Sequence, residues 1–377
     1  MMQEKNAAGL YIHIPFCVSR CAYCDFFSIT DTGLIPRFLD ALFKEIDAYR
    51  QDFPGFDTIY LGGGTPSVLS ISQIETLLAK VRRTFTILPG SEITIEVNPA
   101  DWKRADLKQL HGLGINRISI GVQSLDEKKL ILLGRRHNPE QALTAIEDAI
   151  QAGFENISID LIYGLPGQRL DRWLDTLQKS LSSNPSHLSC YELEIKPDTP
   201  LGRRFEKGDF SFHTEEVLRD FFMQTSEFLE QSGYIHYEVS NFSAGRQMVS
   251  RHNQKYWDHT PYLGLGPSAH SYNKGRRWWN HESLADYCHD LEKGTLPVSD
   301  SEVLDIEQLK LETLFLGLRM KKGIDLAGYH SRYGCDLMKE KGPVLKQWED
   351  AGLIEIDGNV IRPTRAGMAV ADALALL

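Results

Sequence analysis

The run Cys17-Val18-Ser19-Arg20-Cys21-Ala22-Tyr23-Cys24 sets three thiols within eight residues, directly after the β-rich stretch Leu10-Tyr11-Ile12-His13-Ile14. Thiolates are soft ligands suited to iron–sulfur clusters or zinc. A structural zinc site normally closes with a fourth ligand, yet Asp25 and Phe26 follow Cys24 and no fourth Cys is near. Three thiols on one short loop can hold three irons of a cubane and leave the fourth iron open to an exogenous ligand. On spacing alone, zinc completed by a distant His is the alternative. The other cysteines are scattered at 190, 288 and 335. Cys190 falls in a β-rich run and reads as a small buried hydrophobe. Cys288 and Cys335 fall in helix-like stretches and read as bystanders. One tight cluster in a long chain argues for metal or redox chemistry in a reducing compartment, not for a secreted disulfide framework.

Further polar residues sit where β-rich runs end. Leu61-Gly62-Gly63-Gly64-Thr65-Pro66 ends the second run, and glycines there let backbone N–H groups approach a ligand. Glu96-Val97-Asn98-Pro99 ends the third and Gly121-Val122-Gln123-Ser124 the fourth. Gly134-Arg135-Arg136-His137 lies in the next helical segment, and Asp160-Leu161-Ile162-Tyr163-Gly164 closes the fifth run. One such residue is an ordinary solvated strand end. Four at successive strand ends form a site. Arg251-His252-Asn253-Gln254-Lys255-Tyr256-Trp257 offers different chemistry. A neutral imidazole can ligate iron axially, and Tyr and Trp give apolar faces with polar tips. His259, His270 and Tyr256 compete with His252 for such a role, and simple packing of the segment against the core is the bland alternative. Arg276-Arg277 can hold carboxylates, and Trp278-Trp279 can line a pocket.

The elements that must carry these residues alternate. Six β-rich runs, near residues 10–14, 58–61, 93–97, 117–122, 157–162 and 188–193, are separated by helix-like stretches such as 71–85 and 139–152. Apolar residues recur there at spacings of three and four, as in Ile74, Leu77, Leu78 and Val81. Repeated strand–helix alternation predicts an α/β fold with a parallel sheet. In barrels of this kind the chemistry sits at the C-terminal ends of the strands. A long helix is expected over 214–231. Residues 233–300, rich in His, Tyr, Trp, Gly and Asn, read as a long irregular segment over the barrel mouth. Residues 301–377 regain helical periodicity, then show a hairpin around Asp357-Gly358-Asn359 and a final helix from Thr364. This is a winged-helix-like α+β module. The expected domains are therefore 1–232, 233–300 and 301–377.

Composition narrows the function classes. The 377 residues are 42% hydrophobic and 24% charged, which is ordinary for a globular chain. Lys plus Arg is 41 and Asp plus Glu is 51, so the net charge is 41 − 51 = −10. That balance argues against binding a long stretch of nucleic acid, where phosphate neutralisation supplies most of the affinity. No apolar run approaches the roughly 18 residues of a membrane span, and residues 1–9 do not read as a secretory signal. A cytoplasmic protein is expected, with peripheral membrane contact left open.

The cysteine spacing resembles the radical S-adenosylmethionine superfamily, in which the open iron is chelated by S-adenosylmethionine. Tyr11-Ile12-His13-Ile14-Pro15-Phe16-Cys17 resembles the branch of oxygen-independent coproporphyrinogen III oxidase and its relatives. The resemblance implies a partial (β/α)6 barrel and a 4Fe–4S cluster on Cys17, Cys21 and Cys24. It implies S-adenosylmethionine contacts at Tyr11, Gly63, Gly64, Thr65, Glu96, Gln123, Arg135 and Asp160. The match departs from the oxidase at Phe26, where the oxidase pattern has a further Cys, and in the short segment before Cys17. The His-Asn-x-x-Tyr-Trp run is similar to the signature of HemW-type heme chaperones. That likeness implies heme as a ligand, with His252, Asn253, Tyr256 and Trp257 as its contacts, and heme-dependent respiratory proteins as recipients. Cluster and S-adenosylmethionine would then be regulatory or structural, controlling dimerisation or heme release, with a homodimer as the expected assembly; the net charge of −10 argues for no nucleic-acid partner. A radical enzyme acting on a porphyrinogen is the alternative.

Overall fold

The computed structural model describes residues 7–374. Six strands run parallel and pair in chain order: β1 (Ala8–Ile14), β2 (Phe56–Gly63), β3 (Ile87–Val97), β4 (Arg117–Gln123), β5 (Asn156–Tyr163) and β6 (His187–Glu192). Between them lie α1 (Ile35–Ala48), α2 (Ile71–Thr84), α3 (Arg104–Gly112), α4 (Glu127–Leu133), α5 (Pro139–Ala152) and α6 (Leu170–Leu181). The strands alternate with a period of two. On β1, Leu10, Ile12 and Ile14 are fully buried among the helices, with Phe38 and Leu42 of α1 in the same aliphatic core. Gly9, Tyr11 and His13 take the opposite face. That face is polar even where it is buried, carrying Thr58, Glu92, Arg117, Ser158 and His187. Local signals start the helices. Ser70 and Gln73 form a capping box on α2, and Asn138 and Gln141 form one on α5 behind Pro139.

After α7 (Pro200–Glu206) and α8 (Glu215–Gln231), residues 233–300 are not the irregular segment expected. They form β7 (Ile235–Glu238), β8 (Asn241–Ser243), α9 (Arg251–Trp257), β9 (Tyr262–Leu265), β10 (His270–Asn273), β11 (Arg276–Asn280), α10 (Leu284–Glu292) and β12 (Val298–Val303). β8 and β7 extend the sheet antiparallel beyond β6, while β9 pairs parallel with β1 and leads into antiparallel β10, β11 and β12. One open sheet results, in the order β12-β11-β10-β9-β1-β2-β3-β4-β5-β6-β8-β7. The partial barrel stands, with both of its edges prolonged. Four of these added strands, β7 to β10, have only three or four residues, too short to show a period in the sequence. A buried carboxylate ties the extension to the core. Glu45 on α1 accepts from the Gly266 N–H (2.8 Å), the Tyr287 hydroxyl (2.7 Å) and Asn280 Nδ2 (2.6 Å). Burial pushes its carboxyl up to about 7, with those three donors opposing the rise.

The C-terminal part comprises α11 (Ile306–Leu318), β13 (Ile324–Asp325), α12 (Leu326–Tyr333), α13 (Leu337–Asp350), the hairpin β14 (Ile354–Asp357) and β15 (Val360–Pro363), α14 (Arg365–Met368) and α15 (Ala371–Leu374). Its core is its own, built on Leu314, Leu318, Tyr329, Leu345 and Ile361. It rests on α9 and β7. Arg319 stacks its guanidinium 5.1 Å from the Trp257 ring, and Val239 N–H donates to the Arg319 carbonyl (3.0 Å).

Candidate cluster and cofactor site

A cavity of about 450 Å³ opens at the C-terminal ends of the parallel strands. It falls within the roughly 300–1,000 Å³ range of small-ligand sites. Cys17, Cys21 and Cys24 form part of its wall, and Gly63, Gly64, Thr65, Glu96, Gln123, Arg135 and Asp160 line it as well. Tyr11 does not. Its hydroxyl lies 3.1 Å from His13 Nδ1, and its ring packs near those of Tyr60 and His252. Among the described residues, no three His, Cys, Asp or Glu side chains converge on a single metal ion. A cubane asks for something else: each thiolate bonds its own iron, so the three sulfurs must surround a volume.

The cysteine loop is held by short backbone contacts. Gly64 N–H donates to the Ile14 carbonyl (2.9 Å) and Thr65 N–H to the Phe16 carbonyl (2.8 Å). Gly63 N–H donates to Glu96 Oε2 (3.3 Å). The glycines therefore do not hold these N–H groups free for a ligand, as the sequence suggested. Their task is close approach. A Cβ on Gly64 would lie 2.7 Å from the Phe16 carbonyl oxygen, and Gly63 turns at φ 109° against the His13 ring. Thr65 Oγ1 then sits 3.3 Å from Cys17 Sγ. His13 braces the other side through Nε2 and the Phe27 carbonyl (3.1 Å). Burial lowers its imidazole to about 4, so the brace is neutral.

Charge is arranged around the thiols. Asp126 caps α4, and the chain turns just beyond that helix to aim Arg135 into the cavity. Arg135 Nη1 donates to Cys21 Sγ (3.3 Å) and Nη2 to the Gly121 carbonyl (2.6 Å). Its Nε is buried without a partner among the described residues. Each Nη carries a second N–H besides the one so engaged, and a paired N–H donor set suits a carboxylate. Burial, with the neighbouring thiols, raises the Cys24 thiol to about 11, so a thiolate there needs a cationic partner such as cluster iron. Across the cavity, Glu96 accepts from the Tyr60 hydroxyl (2.8 Å) and Asp160 from Ser119 Oγ (3.0 Å). Burial raises the Glu96 carboxyl to about 7, and the Asp160 charge adds to that. Burial also raises Asp160. Gln123 holds a left-handed φ of 65°, a strained geometry of the kind that collects at ligand sites. Soft thiols, a guanidinium and two half-buried carboxylates fit a 4Fe–4S cluster bearing a ligand with both a cationic end and a carboxylate. When bound, the cluster supplies one-electron chemistry. Sequence reasoning missed Ser119 and Tyr191, which also line the cavity. Register was the available signal, because Glu96 pairs with Ser119 and Ile162 with Tyr191.

The second predicted group is placed differently. His252 is buried, with Nδ1 on Thr58 Oγ1 (2.8 Å) and Nε2 on the Tyr256 hydroxyl (2.9 Å). Both nitrogens are engaged, and burial lowers the imidazole to about 3. Glu92 accepts from the Arg251 and His252 N–H groups (both 3.0 Å) and so caps α9 from within the sheet. Lys255 pairs with Asp57 (2.7 Å) and the Ala7 carbonyl (2.8 Å). Asn253 sits half-buried on α9, and Trp257 lies under Arg319. In this arrangement α9 packs across the polar face, and His252 presents no free nitrogen to iron.

Strand order, cysteine loop and strand-end cavity together define a radical S-adenosylmethionine protein. The Radical SAM superfamily model matches residues 11–179, and the HemN C-terminal domain model matches residues 304–370. A protein from Mycobacterium tuberculosis named heme chaperone HemW is 35% identical over 97% of this chain and 93% of its own length. The Escherichia coli protein of that name is 40% identical over 71% of each. The solved structure of coproporphyrinogen III oxidase (HemN) from Escherichia coli, described as a radical SAM enzyme, superposes with a TM-score of 0.86. It is 26% identical, over 98% of this chain and 89% of that one. The chain belongs to the HemW family of heme chaperones. No helix among the described residues is long and apolar enough to cross a membrane.

Proposed function

We propose that this chain binds heme as cargo and passes it to proteins that require it. The observation that carries the reading is the set of relatives named heme chaperone HemW, among them the one matched over 97% of the chain. On this reading Cys17, Cys21 and Cys24 hold a 4Fe–4S cluster, and S-adenosylmethionine caps it beside Arg135, Glu96, Gln123 and Asp160. Cluster and S-adenosylmethionine regulate dimerisation or heme release. Six free cysteines support a reducing, cytoplasmic setting. Respiratory hemoproteins as recipients would bring the chain to the membrane surface. The test is anaerobic hemin titration of the cluster-reconstituted protein, then mixing with an apo-hemoprotein. Saturable binding near one heme per chain, with heme-dependent activity restored in the acceptor, is expected. Absence of saturable binding overturns the reading.

The structural likeness to HemN favours a second reading, a radical enzyme acting on a porphyrinogen. Substrate-dependent release of 5′-deoxyadenosine would support it over the first.

A further inference from the structure

The ladders of the parallel sheet end before the rim of the cluster cavity. β2 and β3 pair last at Leu61 and Ile95, and β3 and β4 at Val97 and Ile120. Among the described residues, no backbone hydrogen bond joins the segments 64–68, 98–101 and 134–137 to one another. Yet these segments carry or border Thr65, Glu96 and Arg135, which line the cavity together. Side chains must set their spacing.

One carboxylate joins all three. Asp101 Oδ2 accepts from the Ser67 hydroxyl (2.5 Å), and Oδ1 accepts from Arg136 Nη2 (2.5 Å). Ser67 lies on the single turn Pro66–Val68 just after Thr65, and its hydroxyl also accepts from the Asn98 N–H (3.2 Å). Asp101 N–H donates to the Asn98 carbonyl (3.0 Å), and Asn98 Oδ1 accepts from the Ala100 N–H (3.1 Å). That turn brings the carboxylate back to Ser67. Only 8% of the Asp101 side chain is exposed, against 27% for Arg136. Water competes little for such a pair, and a charge-assisted hydrogen bond is roughly twice as strong as a neutral one. Arg135 lines the cavity and its neighbour Arg136 does not. The other anchors of their turn run elsewhere. Arg135 N–H donates to the Leu130 carbonyl (2.9 Å) and His137 Nε2 to the Val122 carbonyl (3.0 Å), which fix the turn to α4 and β4. Asp101 ties it to the segments after β2 and β3.

We infer that Asp101 is a positioning residue for S-adenosylmethionine. Through Arg136 and Ser67 it sets the separation of Arg135 from Thr65, which stands beside Cys17. The inference rests on the S-adenosylmethionine reading above. Asp101 is not among the residues that line the cavity, so it acts only through others. A guanidinium meets a carboxylate as a planar fork, so its grip depends on placement as well as charge. Binding groups must be held to within about 0.5 Å, and supporting hydrogen bonds supply that precision.

The test titrates S-adenosylmethionine by calorimetry into the cluster-reconstituted, full-length protein and its variants, with iron content measured for each. Asp101→Ala breaks both links, and Arg136→Met breaks only the one to the turn after α4. Each is expected to bind S-adenosylmethionine roughly tenfold more weakly, about the loss of one charge-assisted hydrogen bond, with iron content kept. Asp101→Asn has the same shape and can still bond both partners, so it should recover most of the affinity. A double variant separates positioning from general support of the fold. On an Arg135→Lys background, Arg136→Met should cost little more, because the two changes act through one group. Should Asp101→Ala fail to fold, Arg136→Met, at a more exposed side chain, decides alone. Wild-type affinity in Arg136→Met, or full additivity with Arg135→Lys, would overturn the assignment and leave the cofactor reading standing. Failure of the wild-type protein to bind S-adenosylmethionine would overturn both.

Discussion

Gly64→Ala tests the reading that glycine serves here to bring two backbones together. An added Cβ would lie 2.7 Å from the Phe16 carbonyl oxygen and 2.9 Å from both the Ile14 carbonyl oxygen and the Phe16 nitrogen. All three are backbone atoms, so no flexible side-chain tip can give way. The segment after β2 must then separate from the cysteine loop. That breaks the Gly64–Ile14 and Thr65–Phe16 hydrogen bonds and moves Thr65 off Cys17. Overpacking of this kind costs about 1–3 kcal/mol. Placed on S-adenosylmethionine affinity, that range is a factor of roughly 5 to 150, at tenfold per 1.4 kcal/mol. The assay is calorimetric titration of S-adenosylmethionine into the reconstituted protein, paired with a thermal melt. Gly112→Ala is the control, because a Cβ there meets nothing within 4 Å. Wild-type affinity and melting in Gly64→Ala would refute the reasoning.

Arg135→Lys keeps the charge but loses the fork that spans Cys21 and the Gly121 carbonyl. Affinity for S-adenosylmethionine should fall about tenfold, roughly one charge-assisted hydrogen bond, while iron content is retained; loss of iron alone would contradict this assignment. Glu45 predicts a pH effect on stability. Its folded carboxyl is raised to about 7, above its ordinary value of 4.5. The stability it contributes is present below about pH 4.5 and is lost as pH rises through about 7. Melting curves from pH 5 to 8 should therefore fall more steeply for the wild-type protein than for Glu45→Gln, and parallel slopes would show that Glu45 is not the group responsible.

The sequence alone determined what depends on short spacings. β-rich runs of four to six residues located β1 to β6, and apolar stripes located α2, α5 and α8 almost to their ends. Cysteine spacing and strand-end polar residues pointed to the strand-end cavity, because residues that end adjacent parallel strands meet at one rim of the sheet. Tertiary structure decided what depends on distant partners. β7 to β12 are strands on the open edges that β6 and β1 offer, and β7 to β10, at three or four residues, are too short to show a period. The fate of His252 turned on Thr58, 194 residues away, and on Glu92, which caps α9 from another strand. Its imidazole became a packed core group with both nitrogens hydrogen-bonded. Which hydrogen bonds a histidine makes is set by neighbours that only the folded chain brings together.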